Sequence, residues 1–234
     1  MRFCSGVIFG GNYVGVTACI GAFAISIAVV GLANIGGRAT SVKLLLAGMA
    51  LSALCSAFSS CVVYFSNDRD ATREVSFWMM GSLAGAEWET NAVILPLTVL
   101  GVLFFWTQHR TLNLMLLGDE SAITLGTDLH PRRQLYLLVA SLMVGFAVYC
   151  AGVIGFVGLV IPHLVRMLFG TDHKKLVPLC ALVGAIFLIW ADVLCRVIIK
   201  GMELPIGVLT SMIGAPVFIY LMVKRKYGFG GKES

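Results

Sequence analysis

The chain has 234 residues, 59% of them apolar and only 12% charged, with a mean hydropathy of +0.92 and a formal charge of +5. A soluble domain carries roughly twice that charged share, so lipid must solvate much of the surface and a water-soluble globular fold is excluded. No basic stretch interleaved with aromatics accompanies the positive charge, which argues against nucleic acid as a partner; Lys and Arg sit in short clusters between apolar runs, as membrane anchors do.

A helix needs roughly 20 apolar residues to cross a bilayer core. Residues 3–37 carry no charge, too long a run for one span. Gly10, Gly11 and Asn12 break it, leaving a span at 13–33 and an apolar stub before it. Further spans are expected at 44–66 and 90–108. The uncharged stretch from Gln134 to Pro162 would overshoot the membrane as one helix. Gly152, Gly155 and Gly158 offer turning points, so two short spans are expected there, at 134–151 and 154–170. Spans at 176–198 and 208–223 complete a set of seven in an all-α, polytopic single domain over residues 1–234. The aromatic stretch 75–86 predicts an interfacial helix, and 112–130 a short helical excursion into water. Six of the seven cysteines lie inside apolar runs with no CxxC spacing, which predicts buried small hydrophobes and no metal site.

With the C-terminus in the cytoplasm, twelve of the 17 basic residues fall on that side, as the positive-inside rule requires. An odd number of spans then puts the N-terminus outside. The stub at 3–9 reads as the tail of another span, so more spans are expected upstream of Met1.

Some residues invite chemistry. Leu114, Leu117 and Leu125 would supply apolar anchors in the segment 112–128, where Gly118 and Gly126 break the helix and Asp119 and Glu120 complement a helix N-terminus. The spacing fits either a partner-binding segment or a solvated loop. Asp192 and Arg196, at i and i+4, share a helix face as an ion pair or a docking group. His163, beside Pro162, has no second ligand at helical spacing and reads as structural. Gly48, Ser52, Ser56, Ser59 and Ser60 make a stripe of small residues suited to close helix packing.

Several segments carry a resemblance in order: LLLAGMALSALCSA from Leu44, WMMGSLAG from Trp78, LNLMLLGDESAITLGTD from Leu112, GVIGFVGLVIPHLVR from Gly152, GTDHKKLVP from Gly170, ADVLCR from Ala191 and ELPIGVLTSMIGAP from Glu203. Together they resemble FecCD-type permeases, the membrane subunits of binding-protein-dependent ABC importers for iron-siderophores, haem or vitamin B12. The resemblance implies a ten-span fold of which the first two spans and most of the third are missing here. It implies that 112–130 is a cytoplasmic coupling segment seated on an ABC ATPase subunit, through Leu117, Gly118, Asp119, Glu120, Ala122, Leu125 and Gly126. It implies that Arg196 docks a periplasmic or lipid-anchored substrate-binding protein. Gly48, Ser52 and Ser56 would line the translocation path beside a second permease chain in a homodimer, with Thr40 and Ser41 as a gate. No catalytic group and no bound cofactor is expected on this chain, which would lie in the bacterial inner membrane, ATP-Mg being held by the partner ATPase. The competing readings are a membrane enzyme using His163, Asp192 and a serine, and an ion-conducting bundle; neither finds the residues it needs at a usable spacing. No phosphate-binding GxxxxGK[ST] loop is present.

Overall fold

Charge-free sequence becomes helix almost wherever it runs long enough. In the computed structural model, which describes residues 13–35, 40–65, 69–118, 122, 124, 126, 128–198 and 204–224, every regular element among the described residues is α-helical. In chain order these are α1 (Tyr13–Asn34), α2 (Ser41–Phe65), α3 (Arg69–Met80), α4 (Trp88–Thr107), α5 (His109–Leu116), α6 (His130–Ala151), α7 (Val157–Phe169), α8 (His173–Val197) and α9 (Ile206–Lys224). Each of the seven expected spans has its helix. Four of them, Val42–Phe65, Trp88–Thr107, His130–Ala151 and His173–Val197, are long and apolar enough to cross a membrane. The chain is thus a multi-pass membrane protein.

Polar side chains inside these helices satisfy themselves locally. The Ser26 hydroxyl donates to the Ala22 carbonyl, Asn34 Nδ2 to Val30, and Ser60 to Ser56, each one turn back. Such back-bonding lets the groups face lipid or a neighbouring helix without an orphaned donor.

Two departures from the sequence expectations stand out. The interfacial helix expected at 75–86 runs instead over Arg69–Met80 and stops at Gly81, whose φ of +70° ends it. Arg73 lies over the Phe77 ring at 5.7 Å, so the charge sits within the amphipathic helix and does not bound it. The span expected at 154–170 contains only 13 helical residues, about 20 Å at 1.5 Å per residue. Gly152 (φ +66°) ends α6, residues 152–156 are not helical, and Phe156, in the left-handed region at φ 64°, opens α7.

α6 packs against α1 and α4, and α8 against α4, α5, α7 and α9; α2 leans on α1 at the edge of the bundle. Two small cores sit along α8. One joins α8 and α9 through Ala191, Cys195, Ile206 and Leu209; the other joins α7 and α8 through Ile161, Val165 and Leu176. Acyl chains are as apolar as leucine, so close fit must do here what water exclusion does in soluble proteins. At Gly101 of α4 an added Cβ would collide with the Met143 side chain, which is how closely α4 and α6 approach. The cysteine expectation is corrected. Of the five described cysteines only Cys195 is buried; Cys55, Cys150 and Cys180 are half-buried and Cys61 is exposed on α2, since in an apolar solvent a small apolar thiol has no need to turn inward.

Candidate functional site

Polar structure gathers at the two ends of the bundle. At the end where α8 begins, α4 turns into α5 at Gln108 (φ −88°, ψ 11°). The Gln108 side chain accepts from the Tyr136 hydroxyl of α6 at 3.0 Å, beneath an edge-on cluster of Phe104, Phe105 and Tyr136. In α5, buried Thr111 accepts from Arg132 Nη1 at 2.6 Å, a second tie to α6.

The opposite side of α5 is bound to α8. Asn113 Nδ2 donates to Asp172 Oδ1 at 2.9 Å, and its Oδ1 accepts from the His173 backbone N–H at 2.9 Å and from His173 Nδ1 at 2.7 Å. That pattern fixes both the amide orientation and the His173 tautomer, since the oxygen faces two donors. Asp172 caps α8 by accepting from the Lys174 N–H at 3.1 Å. The Asn113 amide, then that backbone N–H, hold the Asp172 carboxyl below the ordinary carboxylate value. Trp106, in the last turn of α4, donates from Nε1 to the Lys174 carbonyl at 3.0 Å.

Beyond α5 the chain reaches the residues expected to couple to a partner. Leu117 is exposed at the end of α5, and Gly118 and Gly126 adopt φ of +88° and +76°. Ala122 is fully buried and its N–H donates to the Gly118 carbonyl. Asp119, Glu120 and Leu125 lie outside the described residues.

At the other end of α8, Arg196 Nε donates to Asp192 Oδ2 at 2.9 Å and Nη2 to Oδ1 at 3.4 Å. The pair lines a small pocket with Ser82, Leu83, Ala84, Cys195, Leu204 and Ile206, and the Arg196 side chain remains 47% exposed. Beneath it three glycines let backbones meet with no side chain between. A Cβ on Gly152 would land on the Trp78 carbonyl, and one on Gly207 on the Met80 carbonyl; one on Gly81 would lie 2.6 Å from the Val153 oxygen. Ser82 N–H donates to the Ala151 carbonyl at 2.9 Å and Ile206 N–H to Gly81 at 3.1 Å, stitching the ends of α3, α6 and α9 together.

Among the described residues, the small side chains of the α2 stripe stand away from the other helices. Ser52 and Ser56 are exposed, and a Cβ on Gly48 would meet nothing within 4 Å. Thr40 sits one residue before α2, where its Oγ1 accepts from the Lys43 N–H at 3.3 Å, so its hydroxyl serves as a helix cap; the Ser41 side chain lies outside the described residues. His163 gives its Nδ1 hydrogen to the Leu159 carbonyl at 2.7 Å and stands edge-on to Phe218.

Neither Asn113 nor Trp106 was singled out from sequence. A signal for Trp106 does exist: Pro178, inside α8, leaves the carbonyl four residues earlier without its helical donor.

The comparisons with known proteins agree with this architecture. The hemin transport system permease protein HmuU of Yersinia pestis is 43% identical over 215 residues, covering 90% of this chain and 63% of that protein. The vitamin B12 import system permease protein BtuC of Vibrio vulnificus is 40% identical over 207 residues, covering 88% of this chain and 62% of that one. The chain therefore spans less than two thirds of the length of these curated relatives. A solved structure described as an inward-facing conformation of a metal-chelate type ABC transporter superposes with a TM-score of 0.78 at 32% identity, over 91% of this chain and 75% of that one. Residues 4–224 match the FecCD transport family, and with that match the chain belongs to it.

Proposed function

We propose that this chain is the membrane-spanning part of a permease in a binding-protein-dependent ABC importer, moving an iron chelate, hemin or cobalamin inward on ATP hydrolysed by a separate subunit. The observation that carries it is the family match over nearly the whole chain. The distribution of polar structure supports it: exposed Leu117 and its flanking glycines at one end of the bundle, Arg196 at the other, and apolar helices between. In this assignment the Asp172 end and the C-terminus face the cytoplasm. Residues 112–130, within one transmembrane domain, meet the ATPase through Leu117, Gly118, Asp119, Glu120, Ala122, Leu125 and Gly126.

Arg196 meets an acidic group on the binding protein, and Asp192 orients it; a bidentate carboxylate partner restrains a guanidinium that would otherwise sample many rotamers. α2 presents Gly48, Ser52 and Ser56 to a second copy, the chelate passing between the two. Thr40 and Ser41 stand at the cytoplasmic mouth of that passage. Chemistry on the substrate is not required, because alternating access needs only differential affinity for two conformations.

The test is ATP-dependent uptake in proteoliposomes holding the native full-length permease, its ATPase and its binding protein, with labelled hemin, ferric siderophore and cobalamin offered separately. Uptake of one chelate is expected. No uptake of any of them, with ATP turnover intact, would refute the substrate class. A tag at Ser234 accessible from the periplasm would refute the orientation.

A further inference from the structure

Pro178 has no N–H, so the Lys174 carbonyl one turn earlier in α8 cannot receive its helical hydrogen bond. Trp106 Nε1 stands 3.0 Å from that oxygen, 68 residues away in sequence. Indole has one donor and no acceptor, so the whole polar capacity of Trp106 is spent on this carbonyl. Asn113, seven residues on, holds the Asp172 carboxylate and both the backbone and the ring of His173. The end of α4 and the body of α5 thus grip three successive residues at the start of α8, its cap Asp172 and then His173 and Lys174. One bond would be a pivot; several spread over a turn restrain sliding and rotation together.

We propose that Trp106 and Asn113 are positioning residues that make the first turn of α8 the receiver of motion from α5. The 25-residue helix α8, about 37 Å long, then delivers that motion to Asp192 and Arg196 at its far end. The proposal rests on the functional assignment above, in which the segment after α5 meets the ATPase.

Three variants of the full-length permease, assembled with its ATPase and binding protein, test it. Trp106→Phe keeps a ring and removes the N–H. Asn113→Leu keeps the volume and removes the amide. Trp106→Phe/Pro178→Ala gives the Lys174 carbonyl its own helical donor without restoring the tether. Chelate moved per ATP hydrolysed is expected to fall about tenfold in the two Trp106 variants, the scale of one lost hydrogen bond, and at least as far in Asn113→Leu, which loses three, with the ATPase still co-purifying. Recovery in the double variant would overturn the proposal, since Trp106 would then only satisfy an orphan carbonyl.

Spin-label distances between Leu116 and Lys175, both exposed, give a readout that does not need transport. The distribution should be narrow and unmoved by ATP in the native chain and broadened in the double variant. An unbroadened distribution there, or one that shifts with ATP in the native chain, would sink the joint. Absence of ATP-driven uptake by the unaltered assembly would sink the transport assignment, and the joint would still be judged by these distances.

Discussion

Gly152→Ala is the sharpest perturbation of the junction where α3, α6 and α9 meet. Its backbone, at φ +66° and ψ −161°, lies in a region that essentially only glycine occupies. Forcing alanine there costs about 1–3 kcal/mol. The new methyl would also land on the Trp78 carbonyl, with the Gly81 Cα 3.1 Å away, in a junction of backbone atoms that have no rotamer to relax into. Overpacking of that kind adds about 1–3 kcal/mol. Gly170 separates the two contributions: its φ of +88° and ψ of −173° lie in the same region, yet nothing stands within 4 Å of its would-be Cβ. Gly170→Ala should therefore show the backbone strain alone, and Gly152→Ala should exceed it by about 1–3 kcal/mol. Unfolding by SDS titration in mixed micelles, read by tryptophan fluorescence, measures both. Equal losses would refute the close approach of α3 and α6, and no loss in either would refute the assigned dihedrals.

Charge reversal in Arg196→Glu should weaken binding-protein affinity at least tenfold in surface plasmon resonance, while Asp192→Asn, which removes only the carboxylate charge beside the guanidinium, should do less; unchanged affinity in Arg196→Glu would remove the docking role. Because the Asp172 carboxyl is held below its ordinary value of 3.8, its cap is present above that value and lost as pH falls through the lower folded-state value. The stability difference between the native chain and Asp172→Ala should thus stay constant around neutral pH and shrink only in strong acid; shrinkage between neutrality and the ordinary value would contradict the depression. In a cysteine-free background, Ser52→Cys should give an oxidative cross-linked dimer in membranes, and a product that stays monomeric would argue against α2 facing a second copy.

Much of the architecture was legible because charge placement is so uneven. Runs without Lys, Arg, Asp or Glu, divided at glycines where they are too long for one span, mark α1, α2, α4, α6 and α9 to within a few residues, while in α8 the run stops at Ala191, short of Asp192 and Arg196. Of the three glycines read as turning points, Gly152 and Gly155 lie in the turn before α7 and Gly158 lies within the helix. The shortness of α7 was not legible, because it depends on Phe156 taking a left-handed conformation that bulky residues seldom adopt. The helix at 75–86 was placed too far along because the charges before Val75 ended the apolar stretch, whereas an amphipathic helix at an interface carries charges inside its own length. Asp192 and Arg196, at i and i+4, paired as their spacing required. The bonds of Asn113 and Trp106 join residues 59–68 apart, and no local pattern reports such a contact. Only Pro178 hinted that a donor had to come from elsewhere.

The brevity of α7 sets how tolerant its neighbourhood is to changes in chain length. Irregular chain advances up to about 3.3–3.6 Å per residue, against 1.5 Å in a helix. Deleting one residue between Gly152 and Phe156 therefore shortens the reach of that connection by more than twice as much as a deletion inside α6. It also carries no 100° turn that a neighbouring helix might absorb by rotating. Length here is a caliper for the spacing between α6 and α7, and homologous chains should vary in residue type along this stretch far more readily than in residue number.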